Sequence, residues 1–324
     1  MVDEREGAWL LLMPQIPPKP SYFRIKVWRR LQALGAVAIK NSVYVLPNTD
    51  EAREDFEWIR REIVKDGGDA MLCEARLIEG VRDDEVQALF HAARDADYGE
   101  IAEAARKVAS RLPRGVIPDD RRAHVEVEVG RMRRRLTEIA KIDFFGAPGR
   151  EATEGLVSGI ESRLRPAGAE AKSAVHGHAA RDLRGRVWVT RKGLYIDRIA
   201  CAWLIRRFVD PDARFKFVPA KGYKPGAKEI RFDMFEADFT HEGDRCTFEV
   251  LMARLGLTDR ALVPIAEIVH DIDLKDSKFR RPEAPGVDRL IAGIAIANKD
   301  DEGRLAQGST VFDGLYESFR RKKS

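Results

Sequence analysis

Residues 1–80 alternate between two hydrophobic periods, and the order of that alternation restricts the fold more than any other feature of the chain. Ala8–Ile16 is an apolar run closed by a proline cluster from Pro14 to Pro20, which predicts a buried strand. Phe23, Val27, Leu31 and Leu34 follow at spacings of 4, 4 and 3, one face of a helix that Gly35 ends. Val37–Ile39 and Val43–Val45 predict two short strands around the turn Lys40-Asn41-Ser42. Asn48 and Glu51 make a capping-box pattern for a helix whose core face is Phe56, Ile59 and Ile63 and which stops at Gly67-Gly68. Ala70–Ile78 predicts a last strand. The order βαββαβ is the ferredoxin-like arrangement, a small sheet with two helices on one face. That fold hosts many unrelated functions and names none.

Beyond it, residues 81–165 predict a helical extension. Arg82–Asp95 and Ile101–Leu112 are amphipathic, and Asp119–Ile142 is the most regular segment of the chain. Its Val125, Val129, Met132, Leu136 and Ile139 are spaced 4, 3, 4 and 3, a coiled-coil seam over about two heptads. Such a seam packs on neighbouring helices or forms a homodimer contact. Residues 166–184 are rich in Ala and Gly and predict a linker, with His176 and His178 inside it. Residues 185–324 predict a mainly helical domain with a small sheet: strands at Arg186–Thr190, Arg214–Val218 and Glu229–Phe232, and helices at Arg198–Val209, Thr247–Leu255, Asp259–Leu274, Leu290–Ala297 and Phe312–Phe319. The fold class is therefore α+β.

Composition narrows the setting. A chain of 324 residues exceeds one compact core, and a hydrophobic fraction of 44% supports packed domains. No stretch approaches the ~18 consecutive apolar residues of a membrane span, and the acidic start does not fit a secretory signal. Cys73, Cys201 and Cys246 form no disulfide framework, which fits a reducing cytoplasm. The net charge is only +4, so a nucleic-acid role rests on clustering rather than on the total. Clusters exist: Arg24, Lys26, Arg29 and Arg30 lie on the non-core side of the first helix, with Lys40 in the turn nearby and Trp28 among them. Arg131, Arg134 and Arg135 lie on the outer faces of the 119–142 helix. These residues can neutralise phosphates or form solvated faces.

The C-terminal domain carries two further groups. Arg191 follows a strand and Arg198 opens a helix that Asp197 is positioned to cap, so both guanidinium groups can serve an oxyanion at a helix N-terminus. Salt bridges to Asp197 or Asp210 are the ordinary alternative. Glu267 and His270 are spaced i, i+3 on one helix, and with His241, Glu249 and Asp271 they predict a shell for one divalent metal ion, or a hydrogen-bonded polar network between helices. As a metal site this group would suit a metal-dependent phosphohydrolase.

Long motifs here resemble a known family. Trp188-Val-Thr-Arg191, the run from Ile196 to Pro211, Phe239 to Glu249 and Ile265 to Lys275 look like the C-terminal domain of the chromate resistance protein ChrB family. Trp9-Leu-Leu-Leu, Arg29 to Gly35 and Asn41 to Pro47 resemble its N-terminal domain, a pattern also similar to PaaX-type repressors and small CRISPR-associated nucleases. The resemblance implies a chromate-responsive regulator of a chromate efflux operon; the alternative is a metal-dependent, chromate-reducing enzyme that uses the His/Asp/Glu group. Promoter DNA would bind the N-terminal part. Chromate, with sulfate as competitor, would bind the C-terminal domain at Arg191, Arg198 and His241.

Overall fold

The computed structural model describes residues 9–17, 21–113, 117–164, 183–219, 222–234 and 237–321. Its elements begin in the predicted order: β1 (Trp9–Gln15), α1 (Ser21–Ala33), β2 (Val37–Lys40), β3 (Val43–Pro47), α2 (Asp50–Lys65) and β4 (Asp69–Ala75). The sheet order is β2-β3-β1-β4, with every pair antiparallel. Phe23, Val27 and Leu31 of α1 and Phe56, Ile59 and Ile63 of α2 are buried with Leu10, Leu12, Val45 and Leu46 of the sheet. The period-3.6 and period-2 faces thus meet in one core. Gly35 ends α1 at φ +73°, and the amides of Gly35 and Ala36 bond the carbonyls of Gln32 and Leu31, a Schellman turn. Two local expectations are corrected. Thr49, not Asn48, caps α2: its Oγ accepts the Ala52 amide at 3.1 Å, while Asn48 accepts from Arg53. The last strand ends at Ala75, and Ile78 is exposed.

The two amphipathic segments before and after Asp97 form one helix, α3 (Asp83–Arg111). A single Gly99 costs a helix only about 1 kcal/mol, and Tyr98 is buried there, donating to Asp143 at 3.1 Å. Next come α4 (Asp119–Ile142) and α5 (Gly149–Leu164). All five seam residues of α4 are buried within the chain. The linker and its two histidines lie outside the described residues as far as residue 182.

By contacts, the chain divides into two units: one comprises the residues to Glu100 and Arg134–Pro148, the other Ile101–Arg133 and the residues from Gly149. The second unit contains a parallel three-stranded sheet, order β6-β5-β7, of β5 (Val187–Arg191), β6 (Arg214–Val218) and β7 (Glu229–Arg231). Besides α5, it holds helices α6 (Ile196–Leu204), α7 (Thr247–Arg254), α8 (Leu262–Asp273), α9 (Ala284–Ala297) and α10 (Asp301–Arg321). Trp188, Trp203, Phe248 and Phe312 fill its core. Helix α6 runs on into a π-helical turn, Ile205–Val209, before Pro211 stops it. The predicted helix 259–274 starts at Leu262; Asp259 accepts the Ala261 amide just before it.

Candidate functional site

A parallel sheet places the loops after its strands and the N-termini of its helices along one edge, where open α/β sheets bind ligands. Arg191 is the last residue of the central strand β5, Asp233 follows β7, and Arg198 lies in the first turn of α6. All three are buried. Arg191 Nη2 donates to Glu151 Oε2 of α5 at 3.1 Å, and Arg198 Nε lies 3.7 Å from Asp233 Oδ2. The ion-pair partners are therefore Glu151 and Asp233, not Asp197 or Asp210. Asp210 instead accepts the amides of Gly185 and Asp212. Asp197 does not cap its own helix either. Its two oxygens accept the amides of Thr247 and Phe248 at 2.8 and 3.0 Å, so it caps α7, whose own N-cap, Cys246, is a weak acceptor.

Arg198 is under-bonded. Among the described residues its Nε and Nη1 have no hydrogen-bond partner, although both are buried. An unmade bond from a buried charged donor is costly, so the site retains bonding capacity for an acceptor. Burial, then the neighbouring Arg191, lower the Arg198 pKa. Burial raises the carboxyl of Glu151 against the pull of Arg191, and burial together with Asp233 and Asp273 raises Asp197 well above its ordinary range.

His241 closes the cluster. Its Nε2 bonds Asp273 at 2.8 Å, and its Nδ1 faces Thr247 Oγ at 3.3 Å and Asp233 at 3.6 Å. Burial opposes the charged ring, but the bond to Asp273 and the charges of Asp273, Asp233 and Asp197 raise it to about 10. Helix α5 fixes this loop: a Cβ on Gly155 would stand 2.7 Å from His241 Cβ, and one on Gly159 would stand 2.6 Å from Gly243 Cα. The Gly243 amide also donates to the Gly155 carbonyl at 3.2 Å. Only glycines at these two positions allow backbone and loop to touch.

The predicted single metal shell is not assembled. His241 belongs to the arginine cluster. His270 and Glu249 form a second cluster with Cys246, where His270 Nδ1 meets Glu249 Oε2 at 2.6 Å. Glu267 turns to Arg281 at 3.4 Å, and Asp271 accepts the amides of Phe279 and Arg281 at 2.9 and 2.8 Å. Helical i, i+3 spacing aligned Glu267 with His270 in one dimension. Burial of His270 and the pairing of half-buried Glu267 with Arg281 separate them.

The basic residues also divide. Arg24, Arg29, Lys40, Arg131 and Arg134 are exposed, and among the described residues they form no ion pair. Lys26, at 2.5 Å, and Arg30 both pair with Glu62 of α2, and Arg135 pairs with Glu100. Trp28 is 52% exposed and is not a core residue. With Arg24, Ile25 and Tyr44 it lines a groove of about 520 Å³ beside α1.

Sequence reasoning missed Glu151, Asp233 and Thr247, and treated Cys246 only as one of three cysteines outside any disulfide framework. The Gly155-x-x-x-Gly159 spacing was the one signal that α5 approaches another backbone closely.

The ChrB C-terminal domain family matches residues 188–319, and the family described as protein ChrB, N-terminal, matches residues 24–176. The curated protein ChrB of Cupriavidus metallidurans is 31% identical over 322 residues, covering 97% of this chain and 96% of its own. No solved structure matches. Two domain matches and one near-full-length relative together establish that this chain belongs to the ChrB family, the family of chromate-resistance proteins.

Proposed function

We propose that the protein is a chromate-responsive transcriptional regulator, with promoter DNA bound by the first unit and chromate by the Arg191–Arg198–His241 cluster. The observation that carries this reading is the buried Arg198 guanidinium with two nitrogens lacking hydrogen-bond partners among the described residues, at the ligand-binding edge of a parallel sheet. Chromate is a tetrahedral dianion, and a guanidinium fork matches two of its oxygens. Three cationic side chains face Glu151, Asp197, Asp233 and Asp273. Burial drives Glu151 and Asp197 toward their neutral forms, which tips the balance toward an anion.

The βαββαβ order with sheet order β2-β3-β1-β4 supports the ferredoxin-like reading of the first unit. The exposed Arg24, Arg29, Lys40 and Arg134 support phosphate contact there; Arg131, also exposed, lies in the second unit. Regulation requires two states that differ in chromate affinity and in DNA affinity.

The test is titration of promoter-DNA binding against chromate and sulfate across a salt series. Release of DNA by chromate, and its loss in Arg198→Ala, is expected. An Arg198→Ala protein that answers chromate normally overturns the sensor assignment. DNA binding that does not change with salt overturns the DNA assignment.

A further inference from the structure

Cys246, Glu249 and His270 bring a sulfur, a carboxylate oxygen and a ring nitrogen within 4.8 Å of one another, apart from the side chains that hold His241. Their chemistry is that of a borderline-soft cation: thiolate and imidazole are the ligands zinc prefers, and carboxylate completes many such sites. Cys246 and His270 are fully buried, while Glu249 and Asp276 reach solvent at the edge and leave a way in.

His270 is held in a ligand's posture. Its Nδ1 points at Glu249, and its Nε2 faces Asp276 at 3.3 Å. A carboxylate on the far nitrogen is how metal-bound histidines are oriented and made more basic. Phe279 packs edge-on against the ring at 4.9 Å. The loop that carries Asp276 and Phe279 holds three non-glycine residues at positive φ, Lys275 at 52°, Ser277 at 53° and Arg280 at 52°. Such conformations persist where the surroundings hold them. Glu249 uses Oε2 both for the Cys246 amide at 2.9 Å and for His270. Among the described residues its Oε1 has no hydrogen bond, so the helix cap survives if Oε1 turns to a metal.

The geometry points to a metal site of the zinc class in which Cys246 Sγ, Glu249 Oε1 and His270 Nδ1 are the three protein ligands, Asp276 is the positioning carboxylate, and the fourth position is open. The thiol proton and the proton shared by His270 and Glu249 leave as the cation enters. Glu267, Asp271 and His241 take no part.

Cobalt(II) is the probe. Metal-free full-length protein titrated with Co²⁺ is expected to bind one equivalent. It should show a near-ultraviolet thiolate-to-cobalt band and visible bands of a four-coordinate ion, both erased by one equivalent of Zn²⁺. Cys246→Ser removes the thiolate band, whereas Cys73→Ser and Cys201→Ser keep it. Asp276→Asn leaves every ligand in place and weakens binding by about 10–100-fold. No stoichiometric binding, a thiolate band that survives Cys246→Ser, or binding abolished by His176→Ala or His178→Ala overturns the assignment. An unchanged affinity in Asp276→Asn overturns the positioning role.

Discussion

Gly155→Ala tests whether α5 sets the position of His241. In an unconstrained helix, alanine in place of glycine stabilises by about 1 kcal/mol. At Gly155 the new Cβ would lie 2.7 Å from His241 Cβ and 3.2 Å from the His241 carbonyl oxygen. Carbon pairs settle near 3.5–4.0 Å, so the loop must retreat by about 1 Å. Overpacking of this kind costs about 1–3 kcal/mol. The same retreat stretches the 2.8 Å bond from His241 to Asp273 beyond hydrogen-bonding range. A hydrogen bond to a charged group contributes about 1.5–3 kcal/mol. Set against the helix gain, the net destabilisation is about 1.5–5 kcal/mol.

Gly314 of α10 is the control, because a Cβ there meets nothing within 4 Å. Calorimetry should show Gly314→Ala raising the unfolding midpoint of the second unit by about 2–4 °C, the usual response to 1 kcal/mol in a unit of this size. Gly155→Ala should lower it by about 3–20 °C on the same scale and, on the proposed sensor role, weaken the chromate response. A Gly155→Ala protein as stable as Gly314→Ala would refute the claim that this helix braces the site.

Three further outcomes follow from the geometry. Arg191→Met strands Glu151 in a buried site and should cost about 3–5 kcal/mol in urea unfolding, most of it recovered by adding Glu151→Gln; no recovery would mean the pair is not coupled. On the proposed DNA-binding role, anisotropy over a salt series should show Arg24→Ala or Arg29→Ala each reducing the slope of log K against log salt by about 1. Lys26→Ala and Arg30→Ala should reduce it less, because Glu62 already neutralises them, and Glu62→Gln should tighten binding. His241 titrates at about 10 when folded against an ordinary 6.5, a raised value. Its contribution is therefore full below pH 6.5 and lost as pH rises toward 10, so the stability advantage of wild type over His241→Gln should shrink across that window and stay constant below it.

What the sequence determined is local. Apolar spacing along residues 1–80 specified six elements in the right order, because period 2 and period 3.6 are properties of a single segment. Gly35 and Gly67 marked helix ends for the same reason. The long motifs around Arg191, Arg198, His241 and His270 placed the chain in its family before any contact was known. The merger of two helices across Tyr98 was not legible, since that residue's burial depends on Asp143, which lies 45 positions away. Nor was the composition of the site. Glu151 reaches Arg191 across 40 positions, Asp197 caps a helix 50 positions on, and Asp273 grips His241 across 32. Each pairing is made by packing: a buried charge must find its partner among whatever the core brings within reach, and no periodicity in the chain records which residue that is. The same cause divided the predicted metal shell in two. Spacing along α8 put Glu267 beside His270, but only the tertiary structure decided that His270 turns inward to Glu249 and Cys246 while Glu267 stays outside with Arg281.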